Sequence, residues 1–175
     1  DVVQGMYTWA DQIIVGKNAT RHDTNALMRQ YLHGVTDPKP IEGDKVICLK
    51  NEWDILANNE DPLVNGTIGF LKNSYSTRAN FPRFLGGHSF EVLHSDFVSD
   101  SGALFTNINM DKKMIMTGEK CCDWKTAYTI SRNKQHGYRL PKEFTYGYAI
   151  TTHKSQGSSW PKVLIVEERF PFDKI

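Results

Sequence analysis

A polar cluster follows an apolar stretch near the C-terminal end of the chain. Residues 148–152 read Tyr-Ala-Ile-Thr-Thr and predict a strand, and residues 153–156 then supply an imidazole, an ammonium, a hydroxyl and an amide. These groups suit phosphate oxygens and sugars, and Gly157 lets the backbone approach a ligand closely. The cluster indicates a binding loop at the end of a strand, with an ordinary polar loop as the alternative.

A second candidate is the basic segment, residues 112–142. It holds eight basic residues against two acidic ones, a difference of +6, so the rest of the chain carries −5 of the net charge of +1. Trp124, Tyr128 and Tyr138 lie among these cations. Cations neutralise phosphates and aromatic rings stack on bases, which favours binding of single-stranded nucleic acid. A solvated basic face is the alternative.

Other chemistries lack the residues that they need. The phosphate loop G-x-x-x-x-G-K-[ST] is absent, since Gly16 and Lys17 are followed by asparagine. Cys121 and Cys122 have neither the C-x-x-C nor the paired-histidine spacing of a zinc site, and Cys48 lies in an apolar strand typical of a core. We find no Asp, Glu and Lys cluster that would hold the metals of a nuclease. We therefore expect no catalytic residue and no metal site.

The elements that would position these groups come in three blocks. The first block predicts a strand over 12–15 and a helix over 24–32, with Thr20 or Asp23 as its N-cap and Gly34 as its C-terminal stop. The middle block predicts short strands over 45–50, 89–93, 103–108 and 113–116, and a hairpin over 63–71 that turns at Asn-Gly. The last block predicts strands over 148–152 and 162–167. The fold class is therefore α/β, a parallel sheet with an inserted antiparallel β module.

Composition narrows the class of protein. The 175 residues are 39% hydrophobic and 23% charged, which is typical of a globular chain. No apolar run approaches the roughly 18 residues of a membrane span, so we expect no membrane partner. Three cysteines, two of them adjacent, make no disulfide framework and favour a cytoplasmic location. The chain begins at Asp1 without an initiator methionine, and we expect it to be a piece of a longer protein.

Three blocks carry a resemblance to a known family. Residues 149–157, Ala-Ile-Thr-Thr-His-Lys-Ser-Gln-Gly, resemble motif V of superfamily 1B DNA helicases, the RecD-like group that includes exodeoxyribonuclease V alpha subunits. Residues 14–25 are similar to the motif IV region of that group, where a strand meets a helix. Residues 43–47 and 63–69 look like the SH3-like β module that these helicases insert into their second RecA-like domain. The blocks occur in family order and cover most of the chain.

The resemblance implies a fold and a division into domains. Residues 1–42 and 145–175 would form an incomplete second RecA-like domain of the P-loop NTPase type, and residues 43–144 would form the SH3-like antiparallel β-barrel. The Walker motifs belong to the first RecA-like domain, which we expect to be the partner missing from this chain. ATP and Mg would be held only with that domain. Motif VI would follow Ile175, and Thr77-Arg78-Ala79 is a decoy for it inside the β module.

The resemblance also implies site residues. Single-stranded DNA would be the partner of the motif V residues Thr151, Thr152, His153, Lys154, Ser155 and Gln156. The nucleotide phosphates would be met by Lys17, Arg21, Gln156 and Gly157, with Arg21 preferred over Lys17 as the cation that senses phosphate. Many relatives have an acid where this chain has Ser159, which leaves the ribose contact open. The expected function is the DNA-gripping part of an ATP-dependent helicase, and the alternative is a non-catalytic binding module built on the β insert.

Overall fold

The computed structural model describes residues 1–58 and 60–169. Over these ranges the helices are α1 (Val2–Trp9), α2 (Asn18–His33), α3 (Lys112–Thr117), α4 (Trp124–Arg132) and α5 (Thr152–Ser155). The strands are β1 (Gln12–Val15), β2 (Lys45–Cys48), β3 (Glu52–Ala57), β4 (Asp61–Leu63), β5 (Ile68–Asn80), β6 (Ser89–Ser99), β7 (Leu104–Asp111), β8 (Phe144–Tyr146), β9 (Ala149–Thr151) and β10 (Val163–Ile165). Within the described ranges, no helix is both long enough and apolar enough to cross a bilayer.

The chain divides into two units, each with its own packing. One unit contains residues 1–37 and the described residues from Gly147 onward, and the other is Pro38–Tyr146. The boundaries predicted from the sequence are 42/43 and 144/145, whereas the structure divides at 37/38 and 146/147. The first unit is therefore assembled from the two ends of the chain, and the second is a continuous insertion.

The first unit contains a three-stranded parallel sheet in the order β10-β1-β9. Ile13 lies beside Leu164 on one side and Ala149 on the other. The central strand is almost wholly buried, with Ile13 and Val15 each 1% exposed. Parallel strands covered on both faces need such continuous apolar runs. The strand predicted over 12–15 is confirmed. The predicted strands over 148–152 and 162–167 are also present in shorter form.

Helix α2 begins six residues before its predicted start. It runs from Asn18, its N-cap position is Lys17, and no side chain of its own caps it, so Thr20 and Asp23 are wrong as N-caps. The predicted stop is confirmed, since Gly34 has φ 68° and its N–H donates to the carbonyl of Gln30. At this start, the N–H of the cap residue Lys17 donates to the carboxylate of Glu168, far along the chain. No local sequence pattern indicates that contact.

A buried amide holds α2 against the sheet. Asn25 is 2% exposed, and its Nδ2 donates to the carbonyls of Arg21 at 2.9 Å and Ala149 at 3.0 Å. Its Oδ1 accepts the N–H of Ala149 at 2.9 Å. The side chain therefore pairs with β9 much as a neighbouring strand would, because buried backbone groups must find partners.

The second unit contains a five-stranded antiparallel sheet in the order β7-β6-β5-β2-β8, and a separate pair, β3-β4. Its core includes the fully buried side chains Leu71, Phe97 and Phe144. At the two ends of the larger sheet, Met110 and Lys142 meet at one isolated bridge. One bridge is not a continuous ladder, so no sheet of the described residues closes into a barrel.

Two local predictions in this unit are wrong. The Asn65-Gly66 turn exists, with Thr67 donating to the carbonyl of Val64, but the strands on either side of it pair with other partners, β4 with β3 and β5 with β2. Only Gly66 has positive φ there, which makes a type II turn rather than the I′ turn of a two-residue hairpin. Residues 113–116 are helical instead of extended, because Asp111 caps α3 by accepting the N–H of Met114.

The Asn25→Ala substitution tests how far the buried amide stabilises the first unit. It leaves the N–H and C=O of Ala149 without that partner, so we expect the free energy of unfolding to fall by about 1–3 kcal/mol. Urea unfolding followed by circular dichroism measures this. The matched control is Asn18→Ala, which removes an exposed amide from the first turn of the same helix. Equal stability of the two variants would contradict the assigned role of Asn25.

Candidate functional site

The carboxyl ends of β1 and β9 bring two predicted blocks together. Val15 and Thr151, the last residues of these neighbouring parallel strands, are register partners. The loop that begins at Gly16 and the loop that begins at Thr152 therefore leave the sheet side by side. The hydroxyl of Thr152 donates to the carbonyl of Val15 at 3.4 Å. Loops at this edge of a parallel sheet are where ligands bind in open α/β folds.

The motif V-like loop, residues 151–157, presents half of its six polar side chains fully to solvent. Thr152, His153 and Gln156 are exposed, whereas Thr151, Lys154 and Ser155 are half-buried. Its first turn is α5, closed by a hydrogen bond from the Ser155 hydroxyl to the carbonyl of Thr152 at 2.8 Å. Gly157 has φ 81°, a conformation that side chains with a Cβ rarely adopt. The loop thus places an ammonium, an imidazole and an amide on one short segment.

The two cations of the first block lie at the start of α2. Lys17 is half-buried and its Nζ donates to the carbonyl of Arg169 at 3.1 Å. Arg21, one turn later, donates from Nε to the Oδ1 of Asn18 at 3.4 Å. Burial lowers the pKa of the Arg21 guanidinium, which nevertheless stays charged at neutral pH because an arginine does not deprotonate in proteins. The edge therefore carries positive charge from α2 beside the polar loop after β9.

Glu168 is a site residue that the sequence patterns missed. Its Oε2 accepts the N–H groups of Gly16 at 2.5 Å and Lys17 at 2.7 Å, and its Oε1 accepts the hydroxyl of Thr20. The Thr20 hydroxyl, followed by the two backbone N–H groups, lowers the pKa of this carboxyl. A carboxylate of the chain itself thus occupies the backbone donors at the start of α2. The contact joins residues 152 positions apart, so no local pattern indicates it.

The basic segment is largely neutralised within its own unit. Five of its eight cations form ion pairs, with the acids Glu52, Asp54, Glu91, Glu119 and Glu143. Four of these acids come from outside the segment, which is why counting charge along the sequence overstates the patch. The remaining three cations, Lys125, Arg132 and Lys134, form no ion pair with the described residues. Each paired cation has an opposite charge within 4.0 Å, so the five together contribute little net positive field.

The cysteines and histidines do not gather into a ligand set. Cys48 is fully buried, as its apolar strand predicts, and its Sγ donates to the carbonyl of Lys50 at 3.0 Å. Cys121 and Cys122 are half-buried thiols, and burial is the main cause that raises the pKa of each. In the part of the chain that the structure describes, no three His, Cys, Asp or Glu side chains lie close enough to hold a metal ion.

Comparison with known proteins adds no relative. Neither the models of known protein families nor the curated proteins match this sequence. The functional assignment therefore depends on the geometry of the residues and on the motif resemblance.

The Glu168→Gln substitution tests the carboxylate at the start of α2. The folded pKa of Glu168 lies below its unfolded value, so its contribution to stability is present above the unfolded pKa and is lost as the pH falls through the folded pKa. We expect the variant to unfold at a lower temperature than the wild type at pH 7, and the difference to shrink below pH about 4. Thermal unfolding across this pH range measures both.

Glu167→Gln is the control, because it removes a neighbouring exposed carboxylate. If the two variants unfold alike at pH 7, or if the deficit of Glu168→Gln persists unchanged at low pH, the ionised contact does not stabilise this edge.

Proposed function

We propose that this chain is the C-terminal part of a RecD-like, ATP-dependent DNA helicase. In this proposal the first unit is an incomplete second RecA-like domain, and the second unit is its SH3-like insert. The observation that carries the proposal is the register pairing of Val15 with Thr151, which puts the motif IV-like and motif V-like loops on one edge of a parallel sheet. The two resemblances are separated by more than 100 residues in sequence, yet they meet where such sheets bind ligands.

The groups at this edge suit a polynucleotide and a nucleotide phosphate. Thr151, Thr152, His153, Lys154, Ser155 and Gln156 would contact the backbone of single-stranded DNA through charge and hydrogen bonds, which fix position without reading sequence. Lys17 and Arg21 would meet the nucleotide phosphates. Gln156 and Gly157 would contact them too, so Gln156 would face both the DNA and the nucleotide. Because Glu168 occupies the backbone N–H groups before α2, a phosphate would be met here by the side chains of Lys17 and Arg21 and not by those N–H groups.

ATP fits the residues of this chain only in part. The cations at the start of α2 can hold phosphate charge, but the sequence contains no phosphate loop, and the described residues show no metal-ligand cluster for Mg. The nucleotide would supply the free energy that changes the separation of two RecA-like domains. This chain would contribute one of the two grips on DNA, in the cytoplasm, and the first RecA-like domain would contribute the Walker motifs.

The Lys154→Ala substitution tests the DNA contact. Binding of a fluorescent oligo(dT) to the full chain in 50 mM salt should weaken roughly tenfold, because one charge-assisted contact contributes about 1.5 kcal/mol. The slope of log affinity against log salt should also become shallower by about 0.7 for the lost phosphate contact. Fluorescence anisotropy measures both quantities.

Lys162→Ala is the matched control. It removes the same charge from the amino end of the sheet, just before β10, where Lys162 lies 5.8 Å from the ring of Trp9. If the two lysine variants weaken binding equally, the edge beyond β9 is not a specific DNA contact.

The proposal assigns the groups that hydrolyse ATP to another domain, and this predicts that the chain alone is inactive. The purified chain should release no phosphate from ATP, with or without single-stranded DNA, because the phosphate loop is absent from it. A coupled phosphate-release assay measures this. DNA-stimulated turnover by the chain alone would refute the assignment of the catalytic groups to another domain.

A further inference from the structure

A cleft in the second unit runs along α4. Its volume is about 390 Å³, and one wall is formed by the Trp124 and Tyr128 side of the helix. The opposite wall contains Lys50, Lys120 and Glu143, and the apolar side chains of Leu140 and Pro141 also line it. The cleft lies wholly within residues 38–146 and is separate from the loop after β9.

The aromatic wall is exposed although it is apolar. Trp124 is 74% exposed and Tyr128 is 58% exposed, and they are four residues apart on one face of α4. The ammonium of Lys125 lies 5.8 Å from the Trp124 ring, and the guanidinium of Arg132 lies 5.7 Å from the Tyr128 ring. The face therefore presents two rings with a cation beside each.

The opposite side of α4 fixes this face in place. Ile130 is fully buried in a small core with Phe81 and Leu85 at the end of the β5–β6 ribbon. The helix begins at Asp123, whose carboxylate accepts the N–H of Thr126 at 2.8 Å. Since α4 is capped and packs against this small core, Trp124 and Tyr128 are held toward solvent on its other side. Together with the cleft beside them, the two exposed rings form a candidate binding surface.

The charged side chains that line the cleft leave no excess of positive charge, since Lys50 and Lys120 lie among Asp111, Asp123 and Glu143. Glu143 pairs with Lys50 at 2.7 Å and with Lys120 at 3.2 Å. Asp111, also in the lining, is 2% exposed and accepts the N–H groups of Met114 and Cys121. The interior therefore suits an uncharged planar ring rather than a phosphate. Lys125 and Arg132 lie on the helix beside the cleft, and the Arg132 guanidinium also donates to the Tyr128 hydroxyl at 3.3 Å.

We propose that this cleft binds an unpaired base of single-stranded nucleic acid, stacked on Trp124 and Tyr128, while Lys125 and Arg132 meet the flanking phosphates. Bases stack on aromatic side chains whatever their sequence, and cations alongside track the backbone. The assignment of the ligand class depends on the proposed DNA-binding function. The site is additional to the loop after β9, so the two can fail separately.

The test compares two oligomers of equal length, oligo(dT) and a chain of abasic deoxyribose phosphates. Both carry the phosphate charge, and only the first has rings to stack. Trp124→Ala combined with Tyr128→Ala should weaken binding of oligo(dT) by the full chain about tenfold and leave binding of the abasic chain unchanged. Trp124→Phe with wild-type Tyr128 keeps a stacking ring at each position and should bind oligo(dT) nearly as the wild type does.

Tyr75→Ala is the matched control, since Tyr75 is a 57% exposed aromatic residue of the same unit on β5. It should leave both affinities unchanged. Lys154→Ala should weaken both oligomers alike, because it removes a phosphate contact. The proposed base-binding cleft is contradicted if the double variant binds oligo(dT) as tightly as the wild type, or if it loses affinity for both oligomers equally. Neither outcome contradicts the proposed DNA contact of the loop after β9. If the wild-type chain binds neither oligomer in 50 mM salt, the proposed DNA-binding function and the proposed base-binding cleft are both contradicted.

Discussion

The arrangement of the first unit depends on the pairing of the Asn25 amide with the backbone of Ala149. Residues 124 positions apart are joined by two hydrogen bonds through one side chain, and a third ties that side chain to its own helix. The group is buried, so losing a partner would leave a polar atom without water. This constraint holds the middle of α2 against the first residue of β9. The start of α2 follows the end of β1, which pairs with the end of β9, so the cations of one block lie near the polar loop of the other.

Electrostatics acts differently in the two units. At the start of α2, Glu168 satisfies the backbone N–H groups and leaves Lys17 and Arg21 as the cations of the edge. In the second unit, acids, most of them distant in sequence, pair with most cations of the basic segment. The positive charge of this segment that is not compensated by ion pairs with the described residues is carried by Lys125, Arg132 and Lys134, on and just after α4. The inferred DNA contacts therefore combine few charges with hydrogen bonds and aromatic rings, rather than a broad positive surface.

The sequence predicts those features that depend on short-range patterns. The buried strand over 12–15 and the stop at Gly34 follow from an apolar run and from a backbone conformation that glycine adopts readily. The start of α2, the partners of β4 and β5, and the contacts of Glu168 depend on residues far away in the chain. Residues 113–116 are predicted as a strand but belong to α3, whose cap, Asp111, is itself the last residue of the long strand β7. The residue types of the motif V-like loop indicate a binding loop from the sequence alone. Only the fold shows that the loop beginning at Gly16 lies beside it.

We propose that the edge formed by the ends of β1 and β9 faces single-stranded DNA. The most direct test is a titration of the isotopically labelled full chain with oligo(dT) in low salt, followed by backbone amide chemical shifts. If this edge contacts DNA, the largest shifts within the first unit should fall at residues 16–21 and 151–157. Saturable binding that leaves both segments unshifted would contradict it.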